Sequence, residues 1–101
     1  ESLVHVKLPE KLVTIQEGTF KNAKSLKYVT LNNELEVIGK EAFAECRTIE
    51  AIVIPKEVKI ISDRAFYHCR SLESVLFRSP ERPAIGKKAI FWTVSKQTIA
   101  L

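Results

Sequence analysis

Ile49-Glu50-Ala51-Ile52-Val53-Ile54-Pro55-Lys56-Glu57-Val58-Lys59-Ile60-Ile61-Ser62-Asp63-Arg64-Ala65-Phe66-Tyr67-His68-Cys69-Arg70-Ser71 is a 23-residue stretch whose apolar positions recur along the chain at the same step. Ile49 aligns with Leu3, Leu26 and Leu72, and Ile52 with Val6, Val29 and Val75. Ile54 aligns with Leu8, Leu31 and Phe77, Ile61 with Ile15 and Ile38, and Phe66 with Phe20 and Phe43. Apolar positions fixed within a period of about 20–29 residues mark a chain of stacked coils, each burying its apolar side chains only against its neighbours. The period speaks for architecture far more directly than for function.

Within one coil, Leu26-Lys27-Tyr28-Val29-Thr30-Leu31 alternates apolar and polar residues, the periodicity of a strand. Val29 and Leu31 then face inward, while Tyr28 and Thr30 face out. Asn32-Asn33 suits a bend, and Leu35, Val37 and Ile38 form a second extended stretch. Residues 39–46 read as about two helical turns, with Phe43 and Cys46 on one inner face. Ser62 is placed to cap the corresponding turn of the next coil. The sequence therefore predicts an α/β repeat: a right-handed leucine-rich-repeat solenoid of about four coils with a parallel β-sheet. It is expected as one domain, 1–101, with repeats at about 3–25, 26–48, 49–71 and 72–95. In the last of these, Ser79-Pro80-Glu81-Arg82-Pro83 replaces the usual turn and the register slips by one residue. Ile85, Gly86, Ala89 and Ile90 then stand where Ile38, Gly39, Ala42 and Phe43 stand earlier. Phe91, Trp92, Val94, Ile99 and Leu101 read as a C-terminal closure over 91–101, since terminal coils must cover an open apolar end.

The 101 residues suffice for a single core, and 46% apolar with 28% charged residues fits a soluble globular chain. No apolar stretch approaches the ~20 residues of a membrane-spanning helix, so membrane insertion is not expected. The chain opens at Glu1-Ser2-Leu3, on the threshold of a coil and without a polar cap, which reads as a trimmed mature protein or a piece of a longer array. Sixteen basic against twelve acidic residues give a net charge of +4, which permits an anionic partner without requiring one. Cys46 and Cys69 share a column with Ala23. Small buried core residues explain that column better than a disulfide, because parallel Cβ vectors suit disulfide torsions poorly. The redox compartment stays open.

The run Ile49, Ile52, Ile54, Pro55, Val58, Ile61, Ala65, Phe66 and Cys69 resembles the BspA-like leucine-rich repeat. The other coils match it in part, so the resemblance covers roughly residues 3–92, with Asn32 departing from the column of Pro9 and Pro55. The resemblance implies a secreted or surface-attached microbial protein used in adhesion or host contact, and carries over no catalytic residues.

The residues themselves offer little reaction chemistry. Cys69 and His68 are neighbours, but adjacent residues on a helical turn diverge by about 100°, whereas a nucleophile and its base must face each other. No set of converging Cys, His or acidic ligands suggests zinc, and Asp63 lacks the acidic company of a calcium loop. No enzyme activity and no cofactor is expected. Columns of residues one period apart are more informative. Glu17, Lys40, Asp63 and Lys87 alternate in sign, and Glu36, Lys59 and Arg82 begin with an opposite pair. Lys24, Arg47 and Arg70 place three like charges in a row. That is either an anion-binding ridge for sulfated glycan, phosphate or acidic protein, or a solvated face partly neutralised by Glu50 and Glu73. The outward strand positions are His5 and Lys7, then Tyr28 and Thr30, Ala51 and Val53, Ser74 and Leu76. Tyr28, Val53 and Leu76 on a solvated face read either as a contact patch or as ordinary scattered apolar exposure.

The expected function is a non-enzymatic protein-interaction module of unidentified partner. A structural spacer without its own ligand is the alternative, and a glycan or polyanion binder a further one. The unpaired edge of the first coil offers a possible route to self-association.

Overall fold

The computed structural model describes residues 4–79, 81–90 and, as backbone strand, 98–100. Of the apolar closure expected at the C-terminus, Phe91, Trp92, Val94 and Leu101 lie outside the described residues, as does Leu3 at the start, and of Ile99 only the strand is described.

Each coil contributes two short strands at two corners of its path. The first set is β1 (His5–Lys7), β3 (Tyr28–Thr30), β5 (Ala51–Ile54), β7 (Ser74–Phe77) and β9 (Thr98–Ala100). The second set is β2 (Thr14–Ile15), β4 (Val37–Ile38), β6 (Ile60–Ile61) and β8 (Ala84–Ile85). All pairings are parallel. Val6 lies opposite Val29, Ile15 opposite Ile38, Ile38 opposite Ile61, and Ile52 opposite Val75, one sequence period apart in each case. The step lengthens by one residue between β6 and β8, where Ile61 meets Ile85. The slip read at Ser79–Pro83 therefore lies in that corner, and the same lengthened step recurs between β7 and β9, where Val75 meets Ile99. The result is a parallel-strand β-solenoid of about three turns, the second set of strands stacking without interruption as β2-β4-β6-β8.

The helical turn expected over residues 39–46 is not formed, and no helix occurs among the described residues. The segment is a ribbon of overlapping β-turns. Ala42, Ala44 and Cys46 N–H groups donate to the Gly39, Glu41 and Phe43 carbonyls, three residues back, at 3.1, 3.2 and 3.3 Å. Glu41 and Glu45 sit at φ of 56° and 63°, and Arg64 and His68 repeat this one coil later at 55° and 59°. A left-handed residue at every fourth position cannot continue a right-handed helix. The remaining amides leave the coil. Gly18, Phe20 and Asn22 N–H groups donate to the Lys40, Ala42 and Ala44 carbonyls of the next coil at 2.8–2.9 Å. Glu41, Phe43 and Glu45 do the same to Asp63, Ala65 and Tyr67 at 2.7–3.1 Å. A helix would spend these amides inside the coil, whereas the turn ribbon uses every second one to hold coil on coil. The α/β label thus gives way to an all-strand-and-turn coil. Ser62 has no helix to cap, and its carbonyl instead accepts the Ala65 N–H in a β-turn at 3.2 Å.

The inward positions follow the reading of the sequence. Leu26, Ile49 and Leu72, Ile38 and Ile61, Ala42, Ala65 and Ala89, and Cys46 and Cys69 are all buried. Phe20, Phe43 and Phe66 form a continuous stack, with ring centroids 5.2 Å apart at both steps and interplanar angles of 13° and 2°. In the last described coil Ile90 takes the phenylalanine position and is half-buried. Gly39 has its own constraint, because a Cβ there would fall on the Ile15 carbonyl oxygen of the coil beneath. Phe43 has an aromatic neighbour on each side and no exposure, so Phe43→Ala should lose about 3–5 kcal/mol of stability, the usual range for a buried phenylalanine. Urea denaturation is the measurement, and an unchanged midpoint would contradict the stacked core.

Candidate interaction surface

A strand with one face in the core presents alternate residues to solvent. On the first set of strands these are His5 and Lys7, Tyr28 and Thr30, Ala51 and Val53, all exposed, followed by Ser74 and Leu76, which are half-buried. Ser74 and Leu76 lie beside Thr98 and Ala100 of β9 in the parallel ladder, so the stack continues past them. Tyr28 is 57% exposed, and its ring is held from two sides. His5 meets it edge-on at 6.3 Å and 85°, and Lys27 Nζ stands 5.7 Å from its centroid. Val53, 42% exposed, lies one coil further and one column across.

The ladder of this face is broken between β3 and β5. Its strands order as β1-β3 and, separately, β5-β7-β9. Near the entry to this break a side chain ties the two coils together: the Thr48 hydroxyl reaches the Leu26 carbonyl at 2.6 Å and the Lys24 carbonyl at 3.0 Å. A cleft of about 640 Å³ opens at the break, walled by Val29, Leu31, Val53 and Pro55, with Thr30, Asn33, Lys56 and Arg78 supplying polar groups. A second cleft of about 430 Å³ shares Thr30, Leu31 and Asn33 with it and runs on to Lys7, Glu10 and Glu34. Asn32 sits beneath this line of turns. Its amide donates to the Leu12 and Glu10 carbonyls at 2.6 and 3.2 Å, a bond that proline in the columns of Pro9 and Pro55 cannot make. Its buried Oδ1 has no partner among the described residues.

Lys24, Arg47 and Arg70 are exposed on another edge. The expected neutralisation by Glu50 and Glu73 is not seen among the described residues. Arg47 instead lies 3.7 Å from Glu45. Glu45 also accepts a hydrogen bond from His68 Nδ1 at 2.8 Å, and the His68 ring stacks on Tyr67 at 3.9 Å. The His68 bond is the main reason the Glu45 carboxyl is held below the ordinary value of 4.5, against the opposing effect of burial, with the charges of His68, Arg47 and Arg70 adding to it. His68 is thus half-buried and engaged with Glu45. Cys69 turns the other way. Its thiol donates to the Phe43 carbonyl at 3.1 Å, as the Cys46 thiol donates to Phe20 at the same distance. Both cysteines are free and buried. Burial pushes the Cys46 thiol up to about 11 and raises that of Cys69 further. The two residues of the Cys-His pair therefore face different partners. Of the sign-alternating columns, Asp63 meets Lys87 through its backbone, the Lys87 N–H donating to Oδ1 at 2.9 Å. An ion pair outside those columns, Lys21 with Glu41 at 3.1 Å, joins the first two coils.

Two features escaped the reading of the sequence. The outer column of the second set of strands, Thr14, Val37, Ile60 and Ala84, becomes apolar toward the C-terminal end, where Ile60 is 44% and the neighbouring Ile85 40% exposed. Residues Thr14, Val37 and Ile60 recur at the repeat period, so this column could have been found by the same alignment. Glu45 and His68 also occupy one column, and an acid under a histidine was a legible pair.

The family model described as BspA type leucine rich repeat region (6 copies) matches residues 1–100. The chain belongs to the BspA-type leucine-rich-repeat family. It is similar in fold to a leucine-rich repeat protein of known crystal structure from Bacteroides ovatus ATCC 8483, with a TM-score of 0.79 and 24% identity. That alignment covers 98% of this chain and 30% of the other, so the chain spans under a third of that protein's length. No curated protein matches the chain. Leucine-rich-repeat solenoids work through extended surfaces that bind other proteins. The BspA-type family is commonly extracellular or surface-associated in bacteria. Among the described residues, no helix is long and apolar enough to cross a membrane.

Two outcomes follow from the polar contacts of these BspA-type coils. Titration with a thiol reagent at pH 8 should find Cys46 and Cys69 slow to react in the folded chain and both reactive in denaturant without reductant. Absence of reactive thiol in denaturant would instead mean that the two are oxidised. Glu45, whose carboxyl is more acidic in the folded chain, stabilises the fold above the ordinary carboxylate value, and this contribution is lost as pH falls through the folded value. The stability difference between the chain and Glu45→Gln, measured by urea denaturation at pH 7, should therefore shrink below about pH 4.5.

Proposed function

We propose that the chain is a non-enzymatic protein-binding module of a secreted or cell-surface microbial protein, working in adhesion or host contact through the outer face of its first set of strands. It acts as one solenoid domain over residues 1–101, with 91–101 as its closure. The observation that carries this reading is Tyr28, a large aromatic left 57% exposed on a solvated strand face and fixed there by His5 and Lys27. A spacer gains nothing from a rigid exposed aromatic, whereas tyrosines with little residual freedom are common anchors of binding surfaces. Ala51 beside it is small and exposed, so a partner can approach the backbone closely there.

The experiment is a binding screen of the intact chain against extracellular-matrix and bacterial-surface proteins, repeated with Tyr28→Ala, Ala51→Lys. Both positions are exposed, so the variant should keep its denaturation midpoint within about 0.5 kcal/mol. It should also lose at least about tenfold in affinity, the scale of a truncated aromatic anchor. A folded variant that retains every interaction would remove this face from consideration. Binding that instead falls steeply with salt and depends on Lys24, Arg47 and Arg70 would identify a polyanion binder. Absence of any interaction in the screen would favour the spacer.

A further inference from the structure

We propose that the cleft at the break between β3 and β5 docks an extended acidic peptide segment, with carboxylate side chains at Lys56 and Arg78 and apolar side chains against Val29, Val53 and Pro55. The proposal rests on the reading of the chain as a protein-binding module and gives that module a partner chemistry.

The place is set by the backbone. Among the described residues the first set of strands pairs from coil to coil except here, and the larger cleft opens at this break. Together with the cleft that shares Thr30, Leu31 and Asn33, it forms a groove running along the stack, from Lys7 and Glu10 below β3 to Arg78 just after β7. Three coil steps of about 4.8 Å span about 14 Å, which fits about four residues of extended polypeptide.

The chemistry is set by the walls. Lys56 and Arg78 are exposed, and neither has an ion-pair partner among the described residues, although Lys21 and Arg47 elsewhere each have one. A guanidinium beside an ammonium matches two carboxylates on one strand, the arginine accepting a bidentate contact. The apolar stretch between the cations and the rest of the groove would be wasted on inorganic sulfate or phosphate. Glu10 and Glu34 outnumber Lys7 at the other end, so a uniformly anionic nucleic acid or sulfated glycan lying along the groove is disfavoured. A peptide alternates apolar side chains, acids and neutral amides, and its amides find Thr30 and Asn33 midway.

The test uses the isotope-labelled chain and two blocked tetrapeptides, acetyl-Ser-Val-Glu-Glu-amide and acetyl-Ser-Val-Gln-Gln-amide, followed by NMR titration. The glutamate peptide should shift the amides of Thr30, Val53, Lys56 and Arg78 saturably, and its glutamine twin should bind at least about tenfold more weakly, the scale of one lost charge-assisted contact. Lys56→Gln, Arg78→Gln should lose the same factor while keeping a dispersed spectrum. Equal binding of the two peptides, shifts confined to other surfaces, or the same shifts from inorganic sulfate at the same affinity would each overturn the proposal. These residues are not those of the Tyr28→Ala, Ala51→Lys variant. Failure of the peptide arms with the Tyr28 effect intact therefore removes the cleft and leaves the binding module standing.

Discussion

Alternate backbone amides handed from one coil to the next are the interaction on which this fold depends. In the ribbon from Gly39 to Cys46, one set of N–H groups closes β-turns within the coil and the other set crosses to the neighbouring coil. A buried amide without a partner is costly, so each coil has to arrive at the same place with the same phase. That is why the chain keeps its period through the first two inter-coil steps of the second strand set, and why the single extra residue of the third sits in the Ser79–Pro83 corner. Proline has no N–H to contribute, so a corner carrying Pro80 and Pro83 has fewer donors to place. An extra residue does least harm there.

The same demand explains a backbone that single coils would avoid. Glu41, Glu45, Arg64, His68 and Lys88 all carry positive φ, a conformation that L-residues with side chains adopt at a cost of about 1–2 kcal/mol each. Gly18 and Asn22 hold the equivalent positions in the first coil with residue types that tolerate it better. The strain persists because each such residue lies in a stretch tied by backbone hydrogen bonds to an adjacent coil, with Phe20, Phe43 or Phe66, or Ile90 beside Lys88, packed on its inner side. Side chains supplement the ladder wherever it thins. Asn32 secures the turn of the coil beneath it, the two thiols bond to carbonyls of the preceding coil, and Thr48 bridges the entry to the broken step between β3 and β5.

Inward positions were legible in the sequence because one column holds one environment: Phe43 has to resemble Phe20 and Phe66 since it touches both. The slip of the fourth coil was legible for the same reason, as displaced apolar residues mark displaced backbone. The helix was misread because Phe43 and Cys46 share an inner face both on a helix and in a β-turn ribbon, so spacing alone does not separate the two. What does separate them is which amides cross between coils, and the sequence does not display that. The break between β3 and β5 was equally hidden, since Tyr28-Val29-Thr30 and Ala51-Ile52-Val53 alternate as regularly as strands that do pair. The exposed column of Ile60 and Ala84 was open to the same alignment as the core, and only its outward direction came from the structure.

Surface function in such a fold lies where the coil-to-coil bonds place few demands on side chains. Outward strand residues contribute backbone to the ladder whatever their side chain, so His5 and Tyr28, or Ala51 and Ser74, can differ completely within one column while the register holds. The broken step goes further and releases backbone as well as side chains from the ladder. It also lies next to the exposed tyrosine, so backbone outside the ladder and an exposed aromatic share one face. A binding surface can change there without disturbing the phenylalanine stack, because the columns that carry stability and those that face solvent alternate residue by residue along the same strand.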